Sequence, residues 1–482
     1  MSLTAIGFVG IFLLCLGLAF ARHPAFGLYA YLWAFYNHPP HRWWGVDLPD
    51  LRWSLIAALV TLIAVALKPK MVSRPHWANN WGARFLGIFV AWLWIQSMWA
   101  INFDGHLATV ILFTKFLILF YLMYQCLSDR EQFENFCFLH VLGCFIFGWV
   151  AYMTPYGSFE QGRLEGVGGP GVTAANTFAM HMATALPFAG FLLFTCSGIK
   201  RWIIFLSIPF ILNGVILAGS RGAIVGLMGA GLVSLYLCPK VHRKYLYLMG
   251  VPAAILFVIL AHDEFLERME MITGKASQEM ARRTGETEEG SAMSRIIILK
   301  GGWKMFLDYP SGVGSDGHEI LSFDERYGLT GVLSGMHGSV GRAAHNTFMK
   351  LLVEHGVLGG LLFIAMGIWI TLTLWRLKRL DRIGLPMSLG FYRAAIGGSL
   401  AAHFFAGQFS SYLRPEVGVW LIGLLVLLSQ YSYQSLREKG EHSSMENERG
   451  SVRPHVKNGN SKAPVLVGRR VRGGPNKIIE RT

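Results

Sequence analysis

The sequence predicts an all-α, polytopic membrane protein with one large polar insert, and three observations carry that reading. The 482-residue chain is 53% hydrophobic and only 15% charged, too apolar for a soluble globule. Its apolar residues fall in repeated runs of bilayer-spanning length. Its Lys and Arg collect in alternate short connections between those runs, as orientation signals do.

The runs lie at 3–20, 25–37, 51–67, 84–101, 107–127, 133–153, 173–196, 201–218, 221–238, 244–262, 346–374, 386–411 and 415–432. They predict about twelve or thirteen transmembrane helices, the second short enough to be half of a hairpin. The first run lacks a basic leader and is followed by Arg22-His23-Pro24 rather than small residues, so a retained helix is expected and not a signal peptide. Lys68-Pro69-Lys70 with Arg74 and Arg84, Lys200-Arg201, Lys240 with His242-Arg243-Lys244, and Arg376 with Lys378-Arg379 and Arg382 mark the cytoplasmic loops. Segments 154–172 and 263–343, and the Gly219-Ser220-Arg221 junction, then face the opposite side. The net charge of +14 is therefore an orientation signal and not a nucleic-acid footprint.

Four regions follow: N-terminal transmembrane helices (1–262), a polar insert (263–343), C-terminal transmembrane helices (344–432) and a basic tail (433–482). The tail carries eleven Lys/Arg against five Glu and reads as a disordered cytoplasmic segment able to lie on anionic lipid. The insert holds 13 of the 29 acidic residues. Its start, Glu264 to Met269, has helical spacing, and Thr284 to Gly290 reads as flexible. Ser294 to Phe306 has the spacing of an amphipathic helix that stops at Tyr309-Pro310. The glycine-rich Ser311-Gly312-Val313-Gly314-Ser315-Asp316-Gly317 is too diffuse for a phosphate loop. All six cysteines lie in or at the ends of apolar runs, which suggests neither a disulfide framework nor a metal-ligand spacing.

The stretch Arg342-Ala343-Ala344-His345-Asn346-Thr347 places a cation, an imidazole and an amide at a membrane boundary, where charge is costly without a role. Arg163, Arg221 and Arg295 are expected on the same outer side. Cations gathered there run against the orientation rule, and an anionic ligand explains them. Taken singly, each has a plainer account. A lone arginine at a helix end snorkels or pairs with a carboxylate. His181, His355 and His403 fit packing or hydrogen-bonding positions, and Lys115 and Asn213 could face a neighbouring carbonyl. The chain has no Asp-x-Asp pair, no paired-histidine metal motif and no Walker loop, so no cofactor, metal or ATP dependence is expected.

Four blocks in order, Gly162-Arg163-Leu164, Gly219-Ser220-Arg221-Gly222-Ala223, Ser294-Arg295 through Trp303 to Pro310-Ser311-Gly312-Val313-Gly314, and His345-Asn346 with Glu354-His355-Gly356, give the chain its likeness. It resembles the O-antigen ligase and polymerase superfamily of bacterial envelope glycosyltransferases. Arg22-His23-Pro24 and Asn37-His38-Pro39 also look like the exosortase-associated O-glycosylation ligase subgroup. The resemblance implies a GT-C-like, metal-independent transferase of the bacterial inner membrane. It would move a glycan from undecaprenyl diphosphate to the lipid A-core oligosaccharide on the periplasmic face. It assigns His345 as the catalytic residue and Arg163 and Arg295 to the donor diphosphate, with Arg221 as a further motif position. Arg342 and Asn346 join them as substrate-binding candidates. Where relatives read Pro-Asn, this chain has Gly168-Gly169-Pro170-Gly171-Val172 before Asn176, which departs from the pattern.

On this reading the arginines clamp the diphosphate while His345 accepts the acceptor hydroxyl's proton in a single inverting displacement. Arg342 would keep the imidazole neutral by like-charge repulsion, and the insert would carry Arg295 in as a lid. The expected partners are the lipid-linked donor, the lipid A-core acceptor and membrane lipid, with no nucleic acid. A polymerase or a protein O-oligosaccharyltransferase of the same superfamily shares this donor chemistry. A transporter or flippase would instead show internal repeats and a midplane site.

Overall fold

The computed structural model describes residues 2–68, 75–154, 164–261, 289–329 and 343–451, which are largely helical with no strand among them. The helices are, in order, α1 (Leu3–Ala21), α2 (Ala25–Asn37), α3 (Trp53–Leu67), α4 (Trp81–Gln96), α5 (Phe103–Cys126), α6 (Arg130–Met153), α7 (Ala175–Thr195), α8 (Gly198–Leu217), α9 (Arg221–Leu237) and α10 (Arg243–Leu260). The insert contributes α11 (Glu289–Asp308) and α12 (Gly317–Leu321); α13 (Thr347–Arg379), α14 (Met387–Ala406) and α15 (Val417–Ser451) follow. The all-α polytopic expectation holds, and every predicted span coincides with a helix. The helical start expected at Glu264 to Met269 lies outside the described residues.

Among the described residues seven helices, α1, α5, α6, α7, α8, α13 and α15, are long and apolar enough to cross a membrane. Helices α2, α3, α4 and α9 have 13, 15, 16 and 17 residues, short of the ~20 that a straight crossing takes. Helix α14 carries the fully buried Arg393 and packs chiefly against α9 and α7, so it meets protein more than lipid.

Side-chain caps set several helix starts. Asn80, Asn102, Ser220 and Asn346 each accept a hydrogen bond from an N–H of the first turn of α4, α5, α9 and α13, satisfying donors that have no partner within the helix. Helices α1–α3 bury a separate small core around Phe8, Phe12, Trp44 and Trp53.

Two boundaries differ from expectation. Helix α15 runs on to Ser451 where a disordered tail was expected from 433, because Gln434 with Glu438 and Arg437 with Glu441 pair one turn apart along it. The span expected over 386–411 stops at Ala406, and residues 407–412 leave the helix to hold the start of α13.

Helix α13 is broken at Gly356, whose φ of 67° and ψ of −163° are open to glycine. A break releases backbone groups that a membrane-boundary site must satisfy. The glycine-rich 310–314 segment supplies the partners. Val313 N–H donates to Val353 O at 3.2 Å, Gly314 N–H to Glu354 O at 2.9 Å, and Val357 N–H to Pro310 O at 2.9 Å. Gln96 and Trp92 donate to the carbonyls of Glu354 and His355. The approach is so close that a Cβ on Gly356 would lie 2.4 Å from Pro310 O, and one on Gly312 would lie 2.5 Å from Gly356 N. Ile298 and Met305 of α11, with Val313, Leu321, Tyr327 and Leu329, bury their side chains against Val353. The described insert and the first half of α13 are thus one packed unit.

Candidate active site

His345 sits just before α13 and not within it, at a φ of 47°. Such a conformation is uncommon for a residue with a side chain and is maintained only where neighbours fix it. They do so on the next two residues. The Asn346 side chain accepts from Met349 N–H at 2.9 Å and donates to the backbone and side-chain oxygens of Gln408, both at 3.3 Å. Thr347 N–H donates to Gly407 O at 2.8 Å, and its hydroxyl donates to Ser410 O and accepts from Tyr412 N–H, both at 3.0 Å. The 407–412 turn therefore fixes the backbone that presents His345. It reaches α7 as well, through the Tyr412 hydroxyl on Asn176 O at 2.9 Å.

The same turn carries Phe409, which joins the cationic residues to this place. Arg221 opens α9, and its neighbour Gly222 lies against Phe409. The Arg295 guanidinium lies over the Phe409 ring, 6.0 Å from its centroid. Burial, and after it the positive charge of Arg221, holds the Arg295 guanidinium below its ordinary value. Among the described residues neither arginine has a carboxylate partner. Two half-buried cations near each other, with no counter-ion among the described residues, form a place where an anion gains and a cation loses.

Of the six residues expected at the site, the structure thus gathers Arg221, Arg295, His345 and Asn346 around one turn. Asn346 acts there as a helix cap whose amide is already engaged. Arg163 and Arg342 lie outside the described residues. Leu164, next in sequence to Arg163, donates its N–H at 3.2 Å to the carbonyl of Leu217, four residues before Arg221.

Among the described residues two side-chain groups have metal-ligand spacing. Asp316, Glu319 and Glu354 form one, but the Lys350 ammonium already lies 3.6, 2.7 and 3.1 Å from their oxygens. Arg414 adds a contact to Asp316 at 2.6 Å; burial alone would lower its guanidinium, and the bonds and charge of Asp316 raise it instead. His140, Cys144 and His181 form the other, deep between α6 and α7. There the Tyr36 hydroxyl fills the centre, 2.6 Å from His140 Nδ1, 3.0 Å from His181 Nε2 and 3.8 Å from Cys144 Sγ. His355 bonds Gln96 Oε1 at 2.9 Å and His403 meets the Met180 sulfur at 3.2 Å, which matches the packing roles expected of them.

Phe409, Gln408 and Lys350 are the site neighbours that sequence reasoning passed over. Gly407 to Ser411 looks like the polar end of an apolar span, and nothing in its residue types signals a turn that holds a helix 60 residues upstream.

No curated protein matches the chain. The family model described as O-antigen ligase matches residues 205–364, a segment that contains Arg221, Arg295, Arg342, His345 and Asn346 but not Arg163. Over that segment the chain is similar to the O-antigen ligase family.

Proposed function

We propose that the protein transfers a glycan from undecaprenyl diphosphate to the lipid A-core oligosaccharide, at the periplasmic face of the inner membrane and without a metal. The observation that carries the reading is the pairing of the half-buried Arg221 and Arg295, with no carboxylate partner among the described residues, beside the turn that presents His345. Guanidinium groups match diphosphate oxygens in geometry, and in a half-buried site they act with little screening. The arginines hold the donor diphosphate, Arg163 is assigned to the same anion by family resemblance, and Arg342 stands beside His345 in the sequence as a further substrate-binding candidate.

The acceptor hydroxyl oxygen attacks the anomeric carbon, and the bond from that carbon to the diphosphate breaks. The lipid diphosphate leaves with the bonding electrons and its charge is taken up by the arginines. The hydroxyl proton passes to the His345 imidazole, whose unperturbed pKa of about 6.5 suits a base near neutrality. One displacement inverts the anomeric centre.

The test is reconstitution. Purified protein is incubated with lipid-linked donor and either lipid A-core, a second lipid-linked glycan or an acceptor protein, alongside the His345→Asn, Arg221→Ala and Arg295→Ala variants. Product on lipid A-core alone, lost in all three variants, is the expected result. Product on a second glycan or a protein would make the enzyme a polymerase or an O-oligosaccharyltransferase. Full turnover by His345→Asn would remove the proposed base.

A further inference from the structure

The outward face of α11 carries Ile296, Trp303 and Leu307, exposed by 48, 49 and 60%. Their spacing of seven and four places them on one stripe of the helix. Lys300 and Lys304, both exposed, run along one border of the stripe, and Arg295 lies beyond Leu299 on the other. The opposite face, with Ile298 and Met305, is buried against the first half of α13. The stripe is therefore not the spare edge of a core. It is a second apolar surface on a helix whose core contacts are already complete.

The break at Gly356 fixes where this surface stands relative to the bilayer. The stretch after the break, 357–379, is about 34 Å long at ~1.5 Å per residue, enough to cross a hydrocarbon core of about 30 Å. The half before the break, and α11 packed on it, then stand at the level of the headgroups. An apolar stripe with a tryptophan and a lysine border is the composition of a helix lying in that interface. The lysines have no ion pair among the described residues, and the nearest carboxylate on the helix, Asp308, accepts from the Tyr327 hydroxyl at 3.0 Å.

We infer that this face of α11 is a docking surface for anionic phospholipid. Ile296, Trp303 and Leu307 enter the acyl boundary of the adjacent leaflet, and Lys300 and Lys304 bind headgroup phosphates. The inference goes beyond the transfer reaction and does not depend on it, because none of these five residues is placed in the diphosphate site.

The experiment uses the full chain in lipid nanodiscs, with the emission of Trp303 isolated as the difference between wild type and Trp303→Phe. Phosphatidylglycerol brominated in its acyl chains should remove most of that difference signal. Brominated phosphatidylcholine at the same mole fraction should remove less, and aqueous iodide little. Lys300→Glu with Lys304→Glu should make the two lipids equal. Quenching by iodide in place of brominated lipid would overturn the inference, and so would equal quenching by both lipids in the wild type. A signal shielded from all quenchers would mean that protein, such as a second copy of the chain, covers the face, and would overturn it too. Loss of glycan transfer with the quenching pattern intact would count against the proposed reaction alone.

Discussion

Two groups of charge lie around the start of α13, and they are settled in opposite ways. Lys350 and Arg414 meet Asp316, Glu319 and Glu354 at 2.6 to 3.6 Å, so cations and carboxylates satisfy each other within the protein. Arg221 and Arg295 act on each other beside Phe409 with no carboxylate partner among the described residues. The first arrangement does what a structural tie does: it fastens α12 and the 407–416 connection to α13. The second leaves positive charge in a half-buried place, which costs stability unless something negative arrives from outside. Charge density alone does not separate the two groups; the lack of a carboxylate partner among the described residues does.

Removing the base should have the largest consequence. His345→Asn keeps a residue type that tolerates positive φ, so the turn and its contacts to 407–412 survive while the imidazole is lost. Transfer should fall by about 10²–10⁴-fold, read as product per minute from purified enzyme with an unchanged thermal midpoint. A similar fall accompanied by a collapsed midpoint would assign His345 to the fold instead. The arginine side of the comparison predicts a second large loss with an unusual sign in stability. Arg295→Ala should lower transfer by about 100-fold yet leave the thermal midpoint unchanged or slightly higher, because a like-charge contact has gone. Arg295→Lys should rescue poorly, since an ammonium lacks the planar fork. A lysine variant with full activity would leave the diphosphate clamp unsupported.

How much of this was legible beforehand divides along the same line. Apolar periodicity located every described membrane helix, because burial in lipid or in the bundle demands apolar residues whatever the partner. It could not say which helices cross fully. Arg221, Arg295 and His345 stood out because cations and an imidazole are costly at a membrane boundary, and their motifs lay in a recognisable order. Phe409 and Gln408 gave no such signal. Their role is to touch residues far away in sequence, and a Gly-Gln-Phe-Ser stretch has the same composition whether or not it does so. Gly312 and Gly356 were visible as glycines, but only the fold shows that each is needed by the other.

The compensated cluster gives the reverse outcome to the arginine pair. Lys350→Met would leave Glu319 and Glu354 without their cation, and Glu354 is 1% exposed. Breaking a buried ion pair on one side costs about 3–5 kcal/mol, so the thermal midpoint should drop. Adding Glu354→Gln should restore part of it, as coupled neighbours do. An unchanged midpoint for Lys350→Met would show that these contacts contribute nothing, and the contrast with Arg221 and Arg295 would lose its stable arm.

The smallest effect concerns a carboxylate that has no cation partner among the described residues. Glu416, at the entry to α15, accepts from the Tyr31 hydroxyl at 2.6 Å, and burial raises its carboxyl to about 7 from the ordinary 4.5. The folded protein therefore holds a proton that the unfolded chain releases near pH 4.5. The group's stabilising contribution is complete below that pH, declines as pH rises between the two values, and is gone above about 7. Glu416→Gln imitates the protonated form. Its thermal midpoint in detergent should match wild type at acid pH and exceed it increasingly up to pH 8. A constant gap, or none at any pH, would mean that the carboxylate is accommodated when ionised. Uncompensated charge in this molecule would then be tolerated without a ligand, and the case for Arg221 and Arg295 as an anion site would weaken with it.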